Sequence, residues 1–125
     1  MLFLDKNWFL DLSQSPLGDW TEQAPLTKVR HGMGIATDAN ERYIYLIGGE
    51  GQTPKYRDID KYDSETNSWS RISAQLSHQS QTFSTKGANT DVWLWLSECR
   101  CINRFDTSSE SVEAAQINGI PSCEY

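Results

Sequence analysis

The sequence predicts an all-β fold, and three observations support that prediction. Helical periodicity is nearly absent along the chain. Short runs rich in β-branched and aromatic residues alternate with clusters of Gly, Pro, Asn, Asp and Ser, the residue types that turns require. The runs recur at intervals of roughly ten residues, a spacing typical of antiparallel strands joined by short hairpins.

The predicted strands follow one another along the whole chain, each bounded by turn residues. In order they are Met1–Leu4, Trp8–Leu12, Trp20–Gln23, Gly32–Thr37, Tyr43–Gly48, Asp58–Asp63, Ser68–Ile72, Gln81–Ser84, Val92–Ser97, Cys101–Asp106 and Ser111–Ala114. The spacing predicts meanders of antiparallel strands.

The runs also repeat with a fixed period. Tyr62 is followed by Trp69 within "KYDSETNSW", and Phe105 is followed by Val112 within "RFDTSSESV", so both pairs are offset by 43 positions. Upstream, "RYIYLIGG" and "DIDKYD" have counterparts in "DVWLWLSE" and "CINRFD". An earlier, partial copy consists of "WFLDLS" and "DWTEQAPL". A period of this length is typical of propeller blades.

The landmarks of one copy resemble the kelch repeat. They are Arg30, an apolar run, Gly48-Gly49, Tyr62 and Trp69. The resemblance is complete over Arg30–Ile72, partial over Met1–Pro25 and degenerate over His78–Glu113. In the degenerate copy Ser97-Glu98 replace the glycines and Val112 replaces the tryptophan. The resemblance implies that each repeat forms one four-stranded antiparallel blade of a β-propeller.

We therefore expect an incomplete kelch-type β-propeller of about two and a half four-stranded blades, whereas closed propellers have four to eight. The expected units are a partial blade over residues 1–26, a complete blade over 27–75 and a degenerate blade over 76–116, followed by a tail or the start of a further strand over 117–125. Blade faces left bare in such a stack predict self-association, or missing blades supplied by a longer polypeptide.

Five residues are expected to serve the architecture. Gly48 and Gly49 end the second strand in the crowded inner part of the blade, where a side chain would collide with backbone and positive φ turns the chain. Tyr62 and Trp69 are expected in the seam between blades, where burial of each ring contributes roughly 1.5–3 kcal/mol. Phe105 takes the place of Tyr62 in the degenerate copy.

The resemblance places the candidate partner-binding loops on one face. They are the strand-two-to-three loop Glu50–Arg57 and the connections Ala24–His31 and Ser77–Gln81. Lys55, Tyr56 and Arg57 form a donor-rich tip of the first loop, and Arg and Tyr are common interface anchors. The alternative is that Lys55 and Arg57 only solubilise an exposed loop.

Arg30, His31 and His78 complete the candidate contacts. The resemblance implies a mainly structural Arg30 that bonds backbone carbonyls or a carboxylate of a neighbouring blade; a ligand contact in the channel is the alternative. His31 and His78 occupy similar positions in successive copies. Without a third ligand at hand, two histidines do not make a metal site, so we expect neither a metal nor a cofactor.

Composition excludes several classes of function. The net charge is -6, the isoelectric point is near 4.8, and no basic run exceeds two residues, which argues against nucleic-acid binding. The sequence lacks the roughly 20 consecutive apolar residues of a membrane span. Met1–Leu4 is too short for the apolar core of a signal peptide.

The three cysteines favour a reducing, cytoplasmic location. Cys99 and Cys101 are two positions apart, so they are expected on one face of a strand, where a mutual disulfide is awkward. We expect packed or half-exposed reduced thiols. A disulfide from Cys123 to one of the other two is the alternative for a secreted chain.

The expected function is a non-catalytic protein–protein interaction module, as in kelch adaptor or scaffold proteins. No GxSxG, Walker or HExxH motif occurs in the sequence, and the acidic residues are spread over strands and turns. We therefore predict that the chain is not an enzyme. The alternatives are a fragment of a kelch-like propeller enzyme, resembling galactose oxidase or the sialic-acid epimerases, or a truncated product without present activity.

Overall fold

The computed structural model describes residues 5–14, 16, 18–51 and 55–115. These residues form strands without any helix, and none of them belongs to an apolar helix of membrane-spanning length. The strands are β1 (Trp8–Phe9), β2 (Thr21–Glu22), β3 (Gly34–Thr37), β4 (Tyr43–Ile47), β5 (Asp58–Asp63), β6 (Ser68–Gln75), β7 (Thr82–Lys86), β8 (Asp91–Leu96), β9 (Cys101–Asp106) and β10 (Ser111–Ala115). The predicted all-β class is confirmed.

The strands form three antiparallel sheets, each in sequence order. Strands β1 and β2 make an N-terminal hairpin, β3–β6 make a four-stranded middle blade, and β7–β10 make a four-stranded C-terminal blade. Strands β5 and β9 coincide with their predicted bounds, whereas β6 continues past the predicted Ile72 because Gln75 pairs with Asp58 beyond a β-bulge. The predicted strand Met1–Leu4 and the predicted tail 117–125 lie outside the described residues.

The sequence repeat is visible in the strand register. Tyr62 pairs with Trp69 across β5 and β6, and Phe105 pairs with Val112 across β9 and β10. The offset of 43 positions therefore carries one blade onto the next.

The main core lies between the two blades. It includes the buried Tyr45 and Ile47 of β4 and the buried Leu94 and Phe105 of the C-terminal blade. The rings of Tyr45 and Phe105 meet edge to face, with centroids 5.0 Å apart and an interplanar angle of 75°. Such a pair adds about 0.5–1.5 kcal/mol to what burial alone contributes, so the aromatic positions of the repeat hold the blades together.

A second, smaller contact joins the N-terminal hairpin to the middle blade. The rings of Tyr62 and the half-buried Trp69 lie 4.9 Å apart, and Trp69 Nε1 donates a 2.9 Å hydrogen bond to the carbonyl of Ala24. Asn67 Oδ1 accepts hydrogen bonds from the Ala24 amide at 2.8 Å and from the Tyr62 hydroxyl at 2.7 Å. The repeat's tyrosine and tryptophan thus face the preceding unit.

Two glycines make the turn at the end of β4. Gly48 has φ +62° and Gly49 has φ +87°. A Cβ on Gly48 would lie 2.5 Å from Thr82 Oγ1, and one on Gly49 would lie 2.7 Å from the His31 carbonyl oxygen. Both positions therefore combine a left-handed backbone with a lack of room for a side chain.

The outer surfaces of the stack expose large apolar side chains. On the C-terminal blade, Phe83 is 60% exposed and Trp95 is 37% exposed, and both line a shallow groove with Trp93 and Ile102. The described part of the chain leaves this blade face uncovered, in contrast to the faces of the middle blade.

Candidate functional site

One end of the two blades carries the candidate site, which we call the loop face. Strands β4 and β8 end there and β5 and β9 begin there, so residues 48–51, 55–57, 76–81 and 97–100 meet at this end. Two adjoining grooves open on it. The smaller, about 370 Å³, is lined by Lys28, Lys55, Tyr56, Arg57, Asp58, Gln75 and Gln79. The larger, about 450 Å³, is lined by Arg57, Ser77, His78, Gln79, Glu98 and Cys99.

Lys55 bridges the two blades. Its ammonium donates a hydrogen bond to Glu98 in the β8–β9 turn and lies 3.9 Å from Glu50 Oε2. The hydrogen bond to Glu98 raises the pKa of Lys55 above its usual value. Glu50 also pairs with Lys55 through the backbone, so residues 55–57 follow the turn and do not form the predicted tip.

Tyr56 is a half-buried anchor beneath the loop face. Its hydroxyl donates a 3.1 Å hydrogen bond to the Val29 carbonyl. Lys28 Nζ lies 3.8 Å from the ring centroid and Arg30 Cζ lies 4.9 Å from it, so both cations contact the aromatic face. Most of the Tyr56 side chain therefore serves the packing of its own blade.

Arg57 is the exposed member of the predicted triad. Its Nε donates a 2.8 Å hydrogen bond to the Leu76 carbonyl, which fixes the side chain over the groove boundary. Among the described residues, no carboxylate lies within ion-pair distance of Arg57, whereas Lys28 and Lys55 have such partners. The guanidinium therefore keeps donors that face solvent.

Arg30 lies in a buried ion cluster. Its side chain has no exposed surface; Nη1 donates a 2.7 Å hydrogen bond to the Gly48 carbonyl, and Nη2 donates to Asp58 and, at 3.0 Å, to Asp60. These contacts favour the structural role that the resemblance implies over contact with a partner. Of the two expected contacts, the backbone carbonyl is present at Gly48, and the carboxylates that Arg30 meets belong to its own blade and not to a neighbouring one.

Both aspartates of the cluster are held in their charged form. Burial acts to raise the pKa of Asp60, but hydrogen bonds from Arg71 and Thr27 and the charge of Arg30 outweigh it and lower that pKa. Burial likewise acts to raise the pKa of Asp58, and hydrogen bonds from Lys28 and Arg30 lower it overall. The cluster is thus a fixed electrostatic element beneath the loop face.

The two histidines occupy different settings. His31 exchanges two backbone hydrogen bonds of 2.9 Å with Glu50, and its Nε2 lies 3.8 Å from Glu50 Oε1. His78 lines the larger groove, with Nδ1 3.0 Å from Ser77 Oγ and 3.7 Å from Cys101 Sγ. The structure therefore associates His78 with a cysteine, a pairing that the sequence analysis did not consider.

Cys99 and Cys101 are joined by a disulfide, which corrects the expectation of reduced thiols. Cys99 lies in the β8–β9 turn, not on the strand, and Arg100 between the two has φ +52°. This turn brings the two Cα atoms to 5.2 Å, within the range that a disulfide requires. The third cysteine, Cys123, lies outside the described residues.

His78, Cys99 and Cys101 form a compact set of candidate metal ligands. Their ligand atoms all lie within 4.8 Å of one another, and both cysteines are buried. The sequence analysis considered only the pair of His31 and His78 and therefore missed this set. The signal that could have found it is the Cys-x-Cys spacing at the beginning of a strand that follows a histidine-containing connection.

Comparisons with known proteins agree with this architecture. Residues 31–74 match the family described as "Kelch motif". Among solved structures, 95 chains match; the one described as "Structure of YjhT" superimposes with a TM-score of 0.76 at 15% sequence identity. The match covers 94% of this chain and 47% of that one, so the chain spans less than half the length of this structural relative. The search of curated proteins found no significant match.

Proposed function

We propose that this chain, whose residues 31–74 match the kelch motif, is a non-catalytic module of a kelch-type propeller that binds a protein partner through the loop face. The observation that carries the proposal is the position of Arg57. Its exposed guanidinium stands between two adjoining grooves, and Arg57 and Gln79 line both of them. A partner segment that lies across the boundary would contact both grooves at once.

The chemistry of Arg57 indicates what the partner segment presents. A guanidinium offers planar, paired donors that match a carboxylate, and arginine is among the residues that contribute most to protein interfaces. The flanking Gln75 and Gln79 offer further donors and acceptors for backbone groups. We therefore propose a partner segment with an acidic side chain placed over Arg57.

The pairing of the charged groups supports a binding role over a catalytic one. Lys55 is paired with Glu98, and Asp58 is paired with Lys28 and Arg30. A general acid or base needs a pKa near the working pH and contact with a substrate proton. On the described loop face, these carboxylates and ammonium groups are engaged in ion pairs with one another.

Affinity capture with paired charge reversals tests the proposal. Arg57→Glu is compared with Lys86→Glu, which reverses an exposed cation at the opposite end of the C-terminal blade. We expect a protein retained by the wild-type chain and by Lys86→Glu to be lost with Arg57→Glu. Thermal unfolding of both variants checks that each is folded.

The captured protein then allows a quantitative test. We expect Arg57→Ala to weaken its binding by roughly tenfold or more, the loss typical of a central interface arginine. Equal affinity for the wild-type chain and Arg57→Ala would place the interface away from the loop face and overturn the proposal.

A further inference from the structure

We propose that His78, Cys99 and Cys101 bind one Zn²⁺ once the Cys99–Cys101 disulfide has been reduced. Zn²⁺ binds thiolate and imidazole ligands, and a three-ligand site leaves the fourth tetrahedral position for water or another donor. The three side chains come from the β6–β7 connection between the blades, from the β8–β9 turn and from the first residue of β9, which meet at the loop face. The proposal does not depend on a protein partner.

The geometry of the nitrogen and sulfur atoms suits one shared ion. His78 Nδ1 lies 3.7 Å from Cys101 Sγ. With usual zinc–sulfur and zinc–nitrogen bond lengths, two such ligands of a tetrahedral ion lie about 3.6 Å apart. The imidazole therefore already stands at ligand distance from one sulfur, and the chain needs to open only the bond between the two sulfurs.

A buried asparagine fixes the serine that lies beside the histidine. Asn103 is fully buried; its Nδ2 donates a 3.0 Å hydrogen bond to Ser77 Oγ, and its Oδ1 accepts one of 2.9 Å from the Ser77 amide. Ser77 Oγ lies 3.0 Å from His78 Nδ1 and 3.9 Å from Cys101 Sγ. When the metal takes Nδ1, the serine hydroxyl is positioned to donate to the Cys101 thiolate, the kind of outer contact that supports metal ligands.

The larger groove gives an ion access to these ligands. Cys99 and His78 both line it, and its volume of about 450 Å³ holds a hydrated ion and a fourth ligand. Glu98 lies on the same rim. The two cysteines are otherwise buried, so the groove is the route by which zinc and a reductant reach them.

The redox step uses a dithiol reductant. Its thiolate attacks one cysteine sulfur, the Cys99–Cys101 bond breaks, and a mixed disulfide forms. The second thiol of the reductant resolves this intermediate, so the reductant leaves as a disulfide and the protein keeps two thiols. Zinc binding then displaces one proton from each thiol. In a reducing compartment such as the cytoplasm, the dithiol form is the expected one.

Zinc titration of the full-length chain in both redox states tests the site. With a competing chromophoric chelator, we expect the reduced chain to bind one Zn²⁺ and the oxidised chain to bind none at that affinity. Cobalt substitution of the reduced wild-type chain is expected to give thiolate-to-cobalt charge-transfer absorption and a tetrahedral visible spectrum. The cobalt measurement needs no variant, so a misfolded mutant cannot imitate a negative result.

Matched variants then assign the ligands. We expect His78→Ala and Cys99→Ser each to weaken zinc binding by about tenfold or more, whereas His31→Ala and Cys123→Ser keep the wild-type affinity. Circular dichroism of each variant confirms folding. A reduced chain that binds no zinc, equal binding by both redox states, or unchanged affinity in His78→Ala would overturn the proposal. A larger loss in Cys123→Ser than in Cys99→Ser would do so as well.

Discussion

The middle blade and the C-terminal blade have the same strand order, yet they fill equivalent positions at the loop face with different chemistry. Asp58 and Asp60 begin β5, and Cys101 and Asn103 occupy the corresponding positions of β9. In the middle blade the two carboxylates hold the buried Arg30. In the C-terminal blade Cys101 lies beside His78, and Asn103 accepts a hydrogen bond from the amide of Ser77.

The comparison shows which part of a blade is free to change. The strand order and the aromatic position on the third strand of each blade, Tyr62 or Phe105, are the same in both blades. The positions at the strand ends face a loop, so the charged cluster of one blade can be replaced by a disulfide beside a histidine in the other.

The two blades also differ in how their faces are covered. The middle blade contacts the C-terminal blade on one side and the N-terminal hairpin on the other. The C-terminal blade presents Phe83 and Trp95 to solvent. Equivalent apolar strands therefore have different energetic roles, which mutation can measure.

The largest expected effect separates the covered seam from the bare face. Phe105→Ala should lower the free energy of unfolding by roughly 3–5 kcal/mol, because a fully buried ring leaves a cavity between the blades. Trp95→Ala, on the bare face, should cost less, about 1–2 kcal/mol, because 37% of this residue is already exposed to solvent. Denaturant unfolding measures both. Similar losses for the two variants would mean that another surface covers Trp95.

The next effect concerns the ion cluster. Arg30→Met should cost about 3 kcal/mol, since it leaves Asp58 and Asp60 partly uncompensated in a buried setting. Lys28 and Arg71 stay close to the carboxylates, which limits the loss. Arg71→Met is the control; it removes a half-exposed arginine of the same cluster and should cost about 1 kcal/mol or less. An unchanged free energy of unfolding in Arg30→Met would show that the cluster does not stabilise the fold.

A smaller effect tests the turn after the second strand of each blade. Gly48→Ala should destabilise by about 1–3 kcal/mol, because the new Cβ meets Thr82 and the residue must keep a positive φ. Ser97→Ala, at the corresponding place in the C-terminal blade, should cost less than about 0.5 kcal/mol. If denaturant unfolding gave the same loss of stability for both variants, the glycine at position 48 would not be a special requirement of its turn.

The smallest effect is the acid dependence of the cluster. The pKa values of Asp58 and Asp60 are lowered in the folded state, so their stabilisation is present above the unfolded pKa of about 4 and is lost as the pH falls through the folded values. Unfolding free energy should therefore decrease below about pH 4.

Asp60→Asn should flatten this dependence without abolishing it. Asp63 and Asp106 also contribute, because hydrogen bonds from Arg42 and from Ser108 lower their respective pKa values. Urea unfolding at several pH values measures the slope. If the unfolding free energy of Asp60→Asn changed with pH as steeply as that of the wild-type chain, the cluster would not be the source of the acid dependence.

Local sequence predicted the blades well for a physical reason. Strand residues alternate between two faces and turns need particular residue types, so β5 and β9 could be bounded from their own composition and their neighbours. The pairing of Tyr62 with Trp69, and of Phe105 with Val112, follows from the same repeat.

The sequence by itself thus determined the strands, the repeat and the glycine turn, whereas the tertiary structure decided the chemistry of the loop face. Lys55 meets Glu98 across two blades, and His78 meets Cys101 across two connections. Such contacts depend on how packed sheets bring their strand ends together. Alternation along a strand is a property of adjacent residues. The contact of Lys55 with Glu98 exists only once both blades have packed, and that of His78 with Cys101 only once the strands of the C-terminal blade have paired.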